Sequence, residues 1–183
     1  MDDLLVVAAT ELELERVGAA DALVCGVGPV EAAAATARAL AERRPSALLH
    51  VGLAGGRGLP VPSLVLGSEA VYHDLSAAIP VVDRVEPDAA LLAAAREALP
   101  DARVLPIGTS AGVGRTRSDC AVEAMEGFAV LRAAELAGVP AVELRAISNE
   151  VDERDRARWR FDDALAALAD AVPRALRALR AAL

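Results

Sequence analysis

Short runs rich in apolar residues alternate along the chain with longer stretches whose apolar residues recur every three or four positions. Residues 4–9, 22–25, 47–51, 64–72, 102–107 and 141–147 form the first class. They read as strands, and runs with little polar alternation belong to a sheet covered on both faces. The second class reads as helices. Residues 29–43 carry Val30, Ala34, Ala37 and Leu40 along one face, with Pro29 suited to the first helical position and Arg43, Arg44 and Pro45 to the end. Residues 87–99 repeat Leu91, Leu92, Ala95 and Leu99. A further helix follows Met125-Glu126-Gly127 and is stopped by Gly138 and Pro140. Residues 162–183 place Leu165, Leu168, Val172, Leu176, Leu179 and Leu183 on one stripe, and Pro173 is expected to kink or divide that helix. Residues 80–83 read as a short strand or loop, and 108–114 as an irregular, adaptable loop. Alternating strands and helices, with no linker or repeat, predict one domain over 1–183. Its expected architecture is a three-layer α/β/α sandwich around a central mixed, mostly parallel sheet.

Composition narrows the partners. An apolar content of 55% excludes a disordered chain, and 183 residues suffice for a sizeable core. The net charge of -8 disfavours nucleic acid and anionic membranes. Aromatic residues at 2% leave no stacking platform for single strands. Cys25 and Cys120 have neither metal-ligand spacing nor a disulfide framework, so free thiols in a reducing cytoplasm are expected. Met1-Asp2-Asp3 has the wrong sign for a signal peptide. No apolar run reaches the roughly 18 residues of a membrane span.

Ligands of open α/β sheets bind at the carboxyl ends of the strands. Two polar residues fall there: Glu126 after the run that precedes its helix, and Asn149 after 141–147. Thr10-Glu11-Leu12-Glu13-Leu14-Glu15 follows the first strand and fits either a solvated helix start capped by Thr10 or an acidic site. Gly26-Val27-Gly28 before a helix can cradle an anion, although it lacks the third glycine and downstream acid of a dinucleotide fingerprint. Gly52-Leu53-Ala54-Gly55-Gly56 fits a close approach to ligand or a tight turn. His73-Asp74 is not accompanied by a serine or cysteine nucleophile motif. The charged segment after Asn149 contains Trp159, with Phe161 close by.

Taken together, these motifs resemble the nucleoside phosphorylase and nucleosidase superfamily. The likeness is strongest to its hydrolytic branch, the methylthioadenosine/S-adenosylhomocysteine nucleosidases and futalosine hydrolases. The most specific carriers are Met125-Glu126-Gly127 and Arg145-Ala146-Ile147-Ser148-Asn149. Ala8-Ala9-Thr10-Glu11-Leu12-Glu13, Gly26-Val27-Gly28, Gly52-Leu53-Ala54-Gly55-Gly56 and Glu69-Ala70-Val71-Tyr72-His73-Asp74 support them.

The resemblance implies hydrolysis of a purine N-glycosidic bond with Glu13 and Asn149 as catalytic residues. Glu13 would activate water, and Met125 and Glu126 would hold the ribose. Ala54, Gly55, Val113 and Ser148 would complete the substrate site. Asn149 stands where adenine-specific relatives carry an aspartate. An amide can accept from N7–H and donate to O6, whereas an ionised carboxylate only accepts, so Asn149 implies a 6-oxopurine. Leu53 and His50 stand in the region where phosphorylases of this fold place a phosphate-binding serine and arginine. Water is therefore the expected nucleophile. The sequences around Glu126 and Trp159 are similar to those of futalosine hydrolase. That likeness implies futalosine as substrate, Trp159 or Phe161 as a surface for its ring, and one of Arg154, Arg156, Arg158 and Arg160 for its carboxylate. The resemblance further implies no cofactor, no metal ion and a homo-oligomer of two or more chains.

Overall fold

The computed structural model describes residues 3–113 and 119–183. Met1, Asp2 and the end of the expected 108–114 loop at Gly114 lie outside the described residues, as do the next four positions. The strands are β1 (Leu4–Ala8), β2 (Ala22–Val24), β3 (Ala47–Gly56), β4 (Leu64–Tyr72), β5 (Arg84–Val85), β6 (Arg103–Thr109), β7 (Val122–Ala124) and β8 (Ala141–Glu150). The helices are α1 (Glu11–Val17), α2 (Pro29–Glu42), α3 (Ala89–Ala98), α4 (Gly127–Ala137) and α5 (Phe161–Ala182), with a 3-10 turn at Arg156–Arg158.

Strand alternation separates the two faces of the sheet. Leu4 and Val6 of β1 pack with Val17, Leu91, Leu168 and Val172 under α1, α3 and α5. Leu5 and Val7 of the same strand pack with Ala32, Leu40, Phe128 and Leu131 under α2 and α4. Both faces are covered, so the apolar run of β1 needs no polar alternation. Pairing is mixed and mostly parallel. β1–β2, β1–β3, β3–β8, β4–β6 and β6–β7 run parallel, and β3–β7, β4–β5 and β4–β8 antiparallel. Because β8 lies between β3 and β4 while β7 and β6 also connect them, five strands close a ring. A third apolar cluster unites Ala54, Val65, Ile107, Val122, Ala124 and Ile147 from those same five strands.

Several boundaries differ from the sequence reading. Residues 52–56 are not a tight turn but the second half of β3, paired to β8 as far as Glu150. Residues 80–83 form no strand, and the short pairing falls at Arg84–Val85 against β4. α2 buries Pro29, Ala32, Thr36, Ala39 and Leu40, while Val30 is exposed. Its many alanines give little contrast between faces, and packing against α4 decides the orientation. Pro173 lies within an unbroken α5. It is exposed, and the buried stripe beside it stays intact.

Candidate active site

Glu13 enters the site through a helix cap. β1 ends at Ala8, and Thr10 caps α1 in a capping box. The Thr10 hydroxyl and backbone N–H donate to Glu13 Oε2 at 2.8 and 3.0 Å. Leu53 N–H donates to Oε1 at 3.0 Å. The helix-start reading therefore holds, and the third residue of that start is also buried against β3, whereas Glu11 and Glu15 are exposed. The close approach is possible because residue 52 is glycine: a Cβ there would meet Glu13 Oε1 at 3.0 Å and overlap Arg145 Nη1.

Glu126 follows β7 and forms the N-cap of α4. Its Oε1 accepts from Gly28 N–H at 3.1 Å. The anion received by the Gly26-Val27-Gly28 segment is thus a side chain of the protein itself. Gly28, at φ 92°, holds the left-handed backbone that starts α2. Oε2 of Glu126 faces Arg145 Nη2 at 3.4 Å. Arg145 is fully buried. Its Nε donates to Glu143 Oε1 at 2.7 Å, and its Nη2 lies 2.5 Å from His50 Nε2. Burial alone would ease the proton off the guanidinium, but Glu143 and Glu126 hold its pKa above the ordinary value. Burial, together with the Arg145 charge, pushes His50 well below its ordinary value and keeps the ring neutral. Burial raises Glu143 despite its partner. The Cys25 thiol nearby is pushed up to about 12 by burial and the charge of Glu126, which keeps it protonated.

At the far end of the site a bulge shapes β8. Pairing with β3 shifts register, so that Ala54 faces Ile147 but Gly55 faces Asn149. Ser148 is the extra residue, and consecutive Ser148 and Asn149 both reach the cavity. Asn149 Nδ2 donates to Glu150 O at 2.9 Å, and its Oδ1 accepts from Ser148 Oγ at 2.7 Å. These two bonds fix which end of the amide is donor and which is acceptor. One N–H and one lone pair remain for a ligand.

Glu13, Glu126, Arg145, Ser148 and Asn149 border one cavity of about 340 Å³, and His50 and Glu143 lie behind its wall. The structure brings Glu13, Ala54, Gly55, Val113, Met125, Glu126, Ser148, Asn149, Trp159 and Phe161 together on its wall. Trp159 and Phe161 form a tilted pair 5.4 Å apart, and Trp159 Nε1 donates to Glu153 O at 3.0 Å. Arg154, Arg156, Arg158 and Arg160 do not enter the cavity and are exposed. Arg158 pairs with Glu153 and Arg160 with Asp163, while Arg156 stacks on Trp159 at 5.5 Å. His73-Asp74 stays outside the cavity lining, and Asp74 accepts from Ala111 N–H. Sequence reasoning missed the Glu143–Arg145–His50 cluster. Its signal was present: two charged residues, 143 and 145, on one face of an otherwise apolar strand. Among the described residues no group of three or more His, Cys, Asp or Glu could hold a metal ion, and no helix is long and apolar enough to cross a membrane.

The sequence matches the phosphorylase superfamily over residues 17–183. A futalosine hydrolase from Streptomyces coelicolor is 41% identical, over 83% of this chain and 76% of that protein. Among solved structures, a 5′-methylthioadenosine/S-adenosylhomocysteine nucleosidase from Colwellia psychrerythraea 34H, in complex with adenine, aligns with a TM-score of 0.85 at 21% identity, over 98% of this chain and 96% of that one. A futalosine hydrolase mutant of Helicobacter pylori strain 26695 aligns with a TM-score of 0.84 at 19% identity, over 100% of both chains. At such identities the structural likeness establishes the mixed α/β fold.

Proposed function

The chain belongs to the phosphorylase superfamily, and from that premise we propose that it is a futalosine hydrolase, cleaving the N-glycosidic bond of a 6-oxopurine nucleoside. The products are hypoxanthine and dehypoxanthinyl futalosine, within menaquinone biosynthesis. The observation that carries this reading is the convergence of Glu13, Glu126 and Asn149 on one cavity, with an amide at the base end. Glu13 takes a proton from water on the face of the sugar opposite the base. Glu126 binds the ribose hydroxyls and stabilises the positive charge of an oxocarbenium-like transition state. Met125 packs on the sugar. Asn149 accepts from N7–H and donates to O6 as the base departs; an amide supplies no proton, so the proton on N7 comes from elsewhere. Trp159 and Phe161 offer a surface for the aryl group at the 5′ end.

Water is favoured over phosphate by the state of Arg145, the one buried cation among the described residues that line the site. Arg145 already donates to Glu143, His50 and Leu53 O, and a phosphate needs uncommitted donors. Two further features support the wider setting. Cys25 and Cys120 are buried and not joined in a disulfide, which suits a reducing cytoplasm. Leu12, Val27, Val113 and Phe161 are exposed around the cavity and favour a second copy of the chain against it.

The test is incubation with futalosine, inosine and methylthioadenosine in phosphate-free buffer, followed by chromatography. Hypoxanthine released from futalosine is expected, with methylthioadenosine left intact, and Asn149→Asp should move activity toward methylthioadenosine. A rate that requires phosphate and yields ribose 1-phosphate would establish phosphorolysis instead. Preferential release of adenine, or tight binding without base release, would also overturn the proposal.

A further inference from the structure

Resting on the reading that Glu126 binds the ribose, we propose that Glu143 and His50 are positioning residues that hold Arg145 back from Glu126. Glu126 thereby keeps lone pairs open for the sugar hydroxyls.

The geometry of the guanidinium carries this. A buried arginine beside a single carboxylate closes on it with short, often bidentate bonds of about 2.7–2.9 Å. Arg145 does not close on Glu126, which it meets at 3.4 Å. Its Nε is instead committed to Glu143 at 2.7 Å, and its Nη2 to His50 Nε2 at 2.5 Å. Arginine has donors only, so His50 Nε2 must accept. The ring proton then lies on Nδ1, which donates to Val7 O at 3.0 Å. His50 is thus a neutral acceptor fixed by the β1 backbone.

Glu143 is kept at a cost that packing alone would not require. It is wholly buried, and its Oε2 has no hydrogen-bond partner among the described residues. An apolar side chain at such a position is commonly as stable as an ion pair or more so. Two glycines also yield space to the cluster. A Cβ on Gly127, the first residue of α4, would overlap both carboxylate oxygens of Glu143, and one on Gly52 would overlap Arg145 Nη1. The two segments that carry the site, β3 and the start of α4, are both shaped around the pair. Without Glu143, Glu126 is the carboxylate left within ion-pair distance of Arg145, with Glu13 acting from farther off, and closure on Glu126 consumes the lone pairs that the sugar needs.

The test compares inosine with 2′,3′-dideoxyinosine as substrates for the wild type and for Glu143→Gln, which keeps the shape and removes the charge. Expected is a loss of about tenfold or more in kcat/KM for inosine, the scale of one charge-assisted hydrogen bond. The dideoxy substrate should change little, so the preference for hydroxyls collapses. Loss by the same factor on both substrates means that Glu143 is only structural and overturns the inference, while leaving the proposed function intact. Wild-type enzyme that releases base but ignores the missing hydroxyls overturns both this inference and the ribose role of Glu126. If Glu143→Gln does not fold, His50→Leu, which removes the acceptor for Nη2, is read on the same two substrates with the same criteria.

Discussion

Glu13 accepts from three donors, Thr10 N–H, Thr10 Oγ1 and Leu53 N–H. A carboxylate offers about four lone-pair positions, so one remains for a water. Glu13→Gln should lower turnover by a factor on the order of 10² to 10⁴. Folding should survive, because glutamine serves in a capping box as glutamate does and only Leu53 N–H loses its acceptor. Steady-state hydrolysis and circular dichroism together check this, and near-wild-type turnover would remove Glu13 from the mechanism. The sequence singled out Glu13, Glu126 and Asn149, and the fold sets all three on one cavity wall. The partners of those residues were not, because none of the bonds from Leu53 to Glu13, from Gly28 to Glu126 or from Arg145 to His50 is local in sequence: they span 40, 98 and 95 residues.

Elements were legible where local signals were strong. The cap of α1, Pro29 at the start of α2 and Gly138 after α4 all fall at the expected places. Gly138 has φ 69°, and a Cβ built on it meets nothing within 4 Å. Its replacement by alanine therefore strains the backbone alone and should cost about 1 kcal/mol. Urea unfolding should show that loss with kcat unchanged, since α4 presents its other end to the cavity. A loss of activity at that position would mean that both ends of α4 are coupled to the site. Elements were misread where local signals were weak. The glycines of β3 look like a turn in isolation, and only β8 alongside makes them a strand.

Across the whole molecule the buried cluster couples folding to pH. Imidazole ordinarily titrates near 6.5, and His50 in the fold lies well below that. Below pH 6.5 the unfolded chain binds a proton that the folded one refuses, so stability should fall as pH falls, by at most about 1.4 kcal/mol per pH unit. Glu143 acts in the opposite sense. Its folded pKa is raised above 4.5, so the unfolded chain ionises first and the native state loses stability as pH rises past that value. His50→Gln, which can still donate to Val7 O and accept from Arg145, should flatten the slope between pH 6.5 and about 5.5. Denaturant unfolding across that range measures it, and equal slopes in both proteins would disprove the role of His50.

The sequence by itself determined six of the strands, most helix ends, the layer order and which side chains were available for chemistry, because periodicity and capping act within a few residues. Only the tertiary structure decided that five strands close a ring and that a bulge turns both Ser148 and Asn149 inward. The same is true of Arg145, which it places between Glu143, His50 and Glu126. Those outcomes depend on register and on space left by glycines elsewhere in the chain, and no local pattern encodes either.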